Sequence, residues 1–141
     1  VPEYISKEKA AAYDIQNDEI LLTADTVVIL NGEIMGKPKG ADEAKAMLRK
    51  LSGQTHHVVT GVSITSREKQ VSFSDTTAVT FRNLTEREID YYVEHYKPFD
   101  KAGAYGVQEW IGYIGVTRIE GSFYNVMGLP VERVYEALKE F

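Results

Sequence analysis

The strongest structural signal in the chain lies in Ile20–Gly32, which reads ILLTADTVVILNG. The apolar residues up to Leu30 predict a strand that is buried or nearly so. Asn31-Gly32 directly after it is a strong hairpin signal, because both residues tolerate the positive φ of a two-residue type I′ turn. Such a turn places Val28 opposite Met35. The sequence therefore predicts that the chain doubles back here as an antiparallel pair.

Asp25 interrupts this apolar strand. Burying a carboxylate costs several kcal/mol unless a cation, hydrogen-bond donors or a metal compensates, so a functional role is favoured over a strand end that caps a turn. Continuing the hairpin places Thr26 opposite Lys37 and brings Lys37 beside Asp25. Strict alternation puts the two side chains on opposite faces, but a bulge at Gly36 or Pro38 would rotate Lys37. The alternative for Lys37 is an ordinary edge lysine that discourages aggregation.

The remaining segments alternate between helical and strand patterns. Helices are predicted at Ala41–Leu51, from the Thr85 and Glu88 capping box to Pro98, after Pro130 with its apolar residues facing inward, and weakly from Tyr4 to about Tyr13. Strands are predicted at Val58–Ile64 and Val71–Phe81, joined as a hairpin, and at Trp110–Ile119. This order indicates an α/β fold with flanking helices and a mixed, largely antiparallel twisted sheet rather than a doubly wound parallel one.

Composition narrows the classes of protein to consider. The 141 residues carry a formal net charge of -5 and include no Cys. The missing Cys excludes a disulfide scaffold and a thiol nucleophile, and the acidic balance argues against binding to nucleic acid polymers. No apolar run approaches the ~20 residues of a membrane helix. We therefore expect a single soluble, cytoplasmic domain over residues 1–141 with no membrane partner.

Two glycine-containing loops offer ligand-binding groups. In Phe99–Gln108, Lys101 supplies a positive charge suited to phosphate, and Gln108 offers a donor and an acceptor suited to the edge of a base. Ile119–Pro130 leads to a helix N-terminus, which can hold an anion. The alternative for both loops is an ordinary turn. None of the three histidines has the spacing of a metal-binding pair, so none is predicted to bind a metal.

Several motifs, in order along nearly the whole chain, together resemble the Maf family of nucleotide pyrophosphatases. They are Ala24–Val28, Gly36–Pro38, Leu51–His56, Thr60–Val62, Asp100–Gly106 and Gly121–Pro130. The resemblance implies a mixed α/β architecture with a long twisted sheet and a nucleotide cleft between two lobes, similar to inosine triphosphate pyrophosphatases.

The resemblance also implies an activity and roles for five residues. The expected reaction hydrolyses a nucleoside triphosphate between its α and β phosphates, giving the monophosphate and pyrophosphate with a divalent cation, Mg²⁺ or Mn²⁺. Asp25 matches the general base, and Lys37 and Lys101 match lysines that neutralise the triphosphate. Thr26 and Gln108 match positions associated with base choice. The Asp-Thr pair is similar to the branch of the family that acts on dTTP and UTP.

One departure from the family pattern gives a further expectation. Family members open with a strand and a Ser- and Arg-rich loop that wraps the phosphates, and neither precedes the segment that begins at Val1. We therefore expect a chain truncated at its N-terminus, with an exposed sheet edge and with a homodimer as one outcome. The alternative functions are a nucleotide-binding regulator of septum formation that acts through a partner, and a domain without a site.

Overall fold

The computed structural model describes residues 1–141 and contains one five-stranded sheet with helices on both faces. The helices are α1 (Pro2–Ala11), α2 (Ala41–Leu51), α3 (Glu86–Tyr96), α4 (Trp110–Gly115), α5 (Phe123–Met127) and α6 (Val131–Leu138). The strands are β1 (Leu21–Leu30), β2 (Glu33–Met35), β3 (Thr55–Thr65), β4 (Gln70–Phe81) and β5 (Val116–Glu120). Their order is β2-β1-β3-β4-β5 and every ladder is antiparallel, which confirms the predicted fold class.

The predicted hairpin forms as expected but is short. Asn31 and Gly32 have φ values of 50° and 81°, and Val28 lies opposite Met35. The ladder between β1 and β2 ends there, so the preceding part of β1, Leu21–Val27, pairs only with β3. We call this unpaired side the free edge of β1.

The two faces of the sheet are covered differently. On one face α1 packs alone across β1 and β3, where a Cβ at Gly61 would overlap the backbone of Glu3. Ser6 of α1 shares a hydrogen bond of 2.7 Å with Ser63 of β3. On the other face the main core joins the sheet to α2, α3 and α4, and its largest fully buried members are Tyr92, Phe81, Leu48, Leu51, Ile89 and Ile111. None of the helices has the length and apolar character needed to cross a membrane.

The strand predicted over Trp110–Ile119 is wrong in its first half, which forms α4 before β5 begins. Aromatic and β-branched residues favour strands, but packing overrides that preference here. Ile111 is fully buried and Ile114 packs against the same core three residues later, which is helical spacing. Gly112 permits the tight approach, because a Cβ there would overlap the carbonyl oxygen of Val107.

The last helix begins after Pro130 as predicted, but its apolar residues do not all face inward. Only Val134 is buried, against the sheet residues Val62 and Ile64. Val131 and Tyr135 are 49% and 62% exposed. The helix therefore packs through a narrow strip and leaves much of its apolar surface open.

Candidate active site

A cleft lies along the free edge of β1, and every residue that we singled out for the site lines it. These residues are Asp25, Thr26, Lys37, Lys101 and Gln108. Asp25 and Thr26 are neighbours in a strand, so their side chains point to opposite faces of the sheet. Asp25 contacts a residue of α1, whereas Thr26 pairs with Thr60 on the far side. Because β1 has no strand beside it here, one ligand at its edge can reach both side chains.

Asp25 is compensated by a lysine that the sequence analysis did not single out. Lys9 of α1 places its Nζ atom 3.3 Å from Asp25 Oδ1 and donates to the carbonyl oxygen of Ala24 at 2.8 Å. The Asp25 side chain is 21% exposed, so it is open to a ligand. A signal for Lys9 was present in the sequence. Pro2, Ser6 and Ala10, the buried residues of α1, are four positions apart and define the face that packs on the sheet, and Lys9 borders that face.

A backbone contact brings the other two lysines together. The N–H group of Gly103 donates to the carbonyl oxygen of Gly36 at 3.1 Å, which fixes the Phe99–Gln108 loop against the end of β2. Lys101 Nζ lies 3.2 Å from Asp100 Oδ1. The hydrogen bond from Lys101 lowers the pKa of Asp100, and the charge of Lys37 contributes to the same shift. Lys37 and Lys101 therefore both act on the carboxylate of Asp100. The end of the hairpin ladder at Met35 leaves Lys37 free of strict alternation.

The cleft is consequently rich in charge. Its charged lining consists of three lysines and two aspartates, Lys9, Lys37, Lys101, Asp25 and Asp100. This excess of positive charge stands in a chain whose formal net charge is -5. A cleft with that local sign attracts anions and raises their local concentration.

Buried tyrosines hold the loop that carries Lys101 and Gln108. Tyr92 accepts a hydrogen bond from the N–H group of Gly106 at 3.0 Å and donates to Glu109 at 2.5 Å. Burial, followed by the bond to Glu109, raises the pKa of Tyr92, so its hydroxyl keeps the proton that it donates. The loop is thus fixed from beneath by α3, and this contact supports Lys101 and Gln108.

The floor of the cleft includes Tyr105, which rests on a buried histidine. The hydroxyl of Tyr105 lies 2.6 Å from His56 Nε2, and the ring of His56 stacks on Phe81. Burial lowers the pKa of His56 to about 4, with a smaller effect from the neighbouring His57. His56 is therefore neutral near pH 7 and supports the cleft through Tyr105.

Apolar residues form much of the remaining lining of the cleft. They are Val28, Val58, Val126, Met127 and Gly128, together with Tyr105. The outer wall of the cleft is α5, so α5 and Gly128 are the part of the Ile119–Pro130 segment that lines it. The first turn of α6 contributes no residue to the lining. An anion bound in this cleft would therefore not contact the N-terminus of α6.

Asn125 anchors this wall to the sheet. Its side-chain amide donates to the carbonyl oxygens of Val58 and Asp75 at 3.2 and 3.1 Å and to Thr77 Oγ1 at 3.0 Å. The residue is fully buried. These bonds fix α5 over the middle of β3 and β4, a role that the sequence analysis missed because Asn in a loop is normally read as a turn residue.

The residues that line the cleft are compatible with a divalent cation that binds through few protein ligands. No group of three or more acidic or histidine side chains is arranged as a ligand set. Mg²⁺ commonly binds through only one or two carboxylates together with substrate phosphates and waters. Asp25 is open to the cleft and has one carboxylate oxygen that Lys9 does not contact, so it fits that mode of binding.

Comparison with known proteins adds independent information. The family described as "Maf-like protein" matches residues 1–141. A protein named dTTP/UTP pyrophosphatase from Porphyromonas gingivalis is 57% identical over 145 residues, which cover 100% of this chain and 73% of the relative. Proteins of the same name from Phocaeicola vulgatus and Bacteroides thetaiotaomicron are each 58% identical over 142 residues, covering 99% of this chain and 74% of the relative.

Proposed function

The chain belongs to the Maf family, and on that premise we propose that it hydrolyses dTTP and UTP to the nucleoside monophosphate and pyrophosphate. The observation that carries the proposal is one cleft that combines charged and apolar groups. Its three lysines and Asp25 suit a triphosphate and its hydrolysis. Its apolar residues and Thr26 suit a pyrimidine ring.

In the proposed mechanism, water attacks the α-phosphorus of the nucleotide. A bond forms between the water oxygen and that phosphorus, and the bond to the oxygen bridging the α and β phosphates breaks. Asp25 orients the water and takes its proton, and pyrophosphate leaves with the electron pair of the broken bond. Lys9, Lys37 and Lys101 bind the phosphates and offset the negative charge that develops on them.

We propose Mg²⁺ or Mn²⁺ as the divalent cation. Asp25 is the residue that would hold it, with phosphate oxygens and waters as the other ligands. When bound, the ion supplies positive charge next to the phosphates and lowers the pKa of a coordinated water. Lys9 holds the Asp25 side chain in place for the water or the cation, since it contacts one carboxylate oxygen and leaves the other free.

Gln108 is proposed to recognise the base. It lines the cleft without charge and offers both a donor and an acceptor. Replacing Gln108 by Ala should change the order of preferred substrates more than the overall affinity for phosphate. An unchanged order among dTTP, UTP and CTP would remove Gln108 from this role.

The decisive experiment measures pyrophosphate release from a panel of triphosphates with Mg²⁺ or Mn²⁺. It uses the chain with any residues that its gene encodes before Val1. Asp25→Asn should lower kcat by about 100-fold or more while nucleotide binding persists. Asp90→Asn is the matched control. Asp90 lies on the surface of α3, forms an ion pair with Lys45 of α2 and does not line the cleft. Turnover unaffected by Asp25→Asn would refute the mechanism, and binding without turnover in the unaltered chain would favour a regulator.

We further propose a single domain that acts in the cytoplasm and forms a homodimer. The main core joins side chains from β1 through α4, which supports one domain. Apolar side chains exposed on α5 and α6, including Met127, Val131 and Tyr135, support self-association. Sedimentation velocity over a range of concentrations tests the homodimer, and a mass that stays monomeric would contradict it.

A further inference from the structure

A chain of hydroxyl groups leads from the cleft into the sheet. Thr26 and Thr60 face each other across β1 and β3, with their Oγ1 atoms 2.9 Å apart. The hydroxyl of Thr60 also lies 3.2 Å from the main-chain oxygen of Asn125 and donates to it. Thr60 is fully buried, so these contacts are the partners available to its hydroxyl.

The direction of these hydrogen bonds is fixed by the number of protons. A threonine hydroxyl carries one proton and two lone pairs, whereas a carbonyl oxygen only accepts. The proton of Thr60 therefore points to Asn125, since without it two oxygen atoms would face each other with only lone pairs between them. Thr60 must then accept from Thr26, which commits the single proton of Thr26. What Thr26 presents to a ligand is a hydrogen-bond acceptor.

This acceptor lies where a ring would bind. Thr26 lines the cleft together with the apolar residues Val28 and Met127. A Cβ built at Gly128 would lie 3.8 Å from Thr26 Oγ1, so the backbone of the outer wall passes close to the hydroxyl without covering it with a side chain. The lysines and Asp25 line the same cleft, so a nucleotide whose triphosphate they hold can place its ring against Thr26.

Resting on the proposed function, we propose that Thr60 is a positioning residue that makes Thr26 accept a hydrogen bond from the ring N3–H of uracil or thymine. A uracil or thymine ring carries a proton on N3, whereas a cytosine ring carries a lone pair there. A cytosine ring in the same pose loses the bond and places one lone pair against another. The carbonyl of Asn125, acting through two hydroxyls, thereby biases the cleft towards dTTP and UTP.

Thr60→Val removes the relay at nearly constant volume and frees the proton of Thr26. The ratio of kcat/KM for UTP to that for CTP should fall about five- to tenfold, the worth of one hydrogen bond. Thr60→Ser keeps the hydroxyl and should keep the ratio close to that of the unaltered chain. Thr26→Val removes the acceptor and should lower the ratio by a similar factor. A purely structural role of Thr60 would change kcat/KM for both substrates equally and leave the ratio as it was, which would overturn the proposal.

A matched control comes from the same sheet. Thr55 and Thr80 form a similar pair, with Oγ1 atoms 2.8 Å apart, on an exposed part of β3 and β4. Thr55→Val should leave the UTP to CTP ratio unchanged. Thermal unfolding of each variant shows whether it folds, and if Thr60→Val does not, the Thr60→Ser and Thr26→Val pair decides.

Binding separates this proposal from the proposed function. Dissociation constants for non-hydrolysable UTP and CTP analogues should favour UTP in the unaltered chain and converge in Thr60→Val. Absent turnover with this binding pattern would reject only the proposed hydrolysis. Normal turnover with equal affinities for the two analogues would reject only the relay.

Discussion

Acidification from pH 7 to pH 5 should destabilise the fold through His56. The pKa of this histidine falls from 6.5 to about 4 on burial. Because the folded pKa lies below the unfolded one, the unfolded chain binds more protons between these values, and stability is lost as the pH falls through that window. Linkage between the two pKa values gives a loss of about 2 kcal/mol between pH 7 and pH 5.

Urea denaturation at the two pH values measures this loss, with the fluorescence of the single Trp as the signal. His56→Gln removes the titrating ring and keeps a polar group near the hydroxyl of Tyr105. The variant should lose about 2 kcal/mol less than the unaltered chain over this pH range, whatever its stability at pH 7. Taking the difference between the two proteins cancels the carboxylates that both share.

His57→Gln is the matched control. His57 is the next residue of β3 but its side chain is exposed, so its removal should leave the pH dependence nearly unchanged. If the unaltered chain and His56→Gln lose the same free energy of unfolding to within about 0.5 kcal/mol, burial does not suppress protonation of His56, and the reasoning fails.

Three further predictions concern the framework of the cleft. Tyr92→Phe leaves the N–H group of Gly106 without its partner, so the chain should lose about 1–3 kcal/mol of stability and show a raised KM for UTP, checked by urea denaturation and steady-state kinetics; an unchanged KM would mean that this bond does not position the loop. Gly112→Ala should cost about 3 kcal/mol in the same denaturation assay, because its methyl group would overlap the carbonyl oxygen of Val107, and a neutral result would mean that α4 can move aside. Thr85→Ala should lower the free energy of unfolding by about 1 kcal/mol without altering kcat, since it removes the cap of α3 and touches nothing in the cleft. A fall in kcat would show that the cap and the cleft are coupled.

Local sequence signals predicted much of the fold. The turn at Asn31-Gly32 fixes the register of its hairpin by backbone geometry alone, and the capping box at Thr85 marks the start of α3. Such signals act over a few residues and are visible in the chain. The helical conformation of α4 could not be predicted in this way, because it depends on the packing of Ile111 into a core assembled from distant segments.

The same distinction explains what was predicted of the cleft. Asp25 stood out because a carboxylate in an apolar strand needs compensation, and that argument requires no knowledge of the partner. Lys9 could not be identified as the partner, because only the packing of α1 on the sheet brings it within 3.3 Å. Thr60 was also passed over, since a threonine suits a strand and its hydrogen bond to Asn125 joins residues 65 positions apart.

The free edge of β1 has a consequence for how substrate preference can diverge. Asp25 is supported from one side of the sheet by α1, whereas Thr26 is supported from the other by β3 and α5. If Asp25 and Thr26 act as proposed, substitutions behind Thr26 can change which nucleobase is accepted while Asp25 keeps its own separate support. One strand would then allow base preference to change in evolution without a change in the catalytic residue.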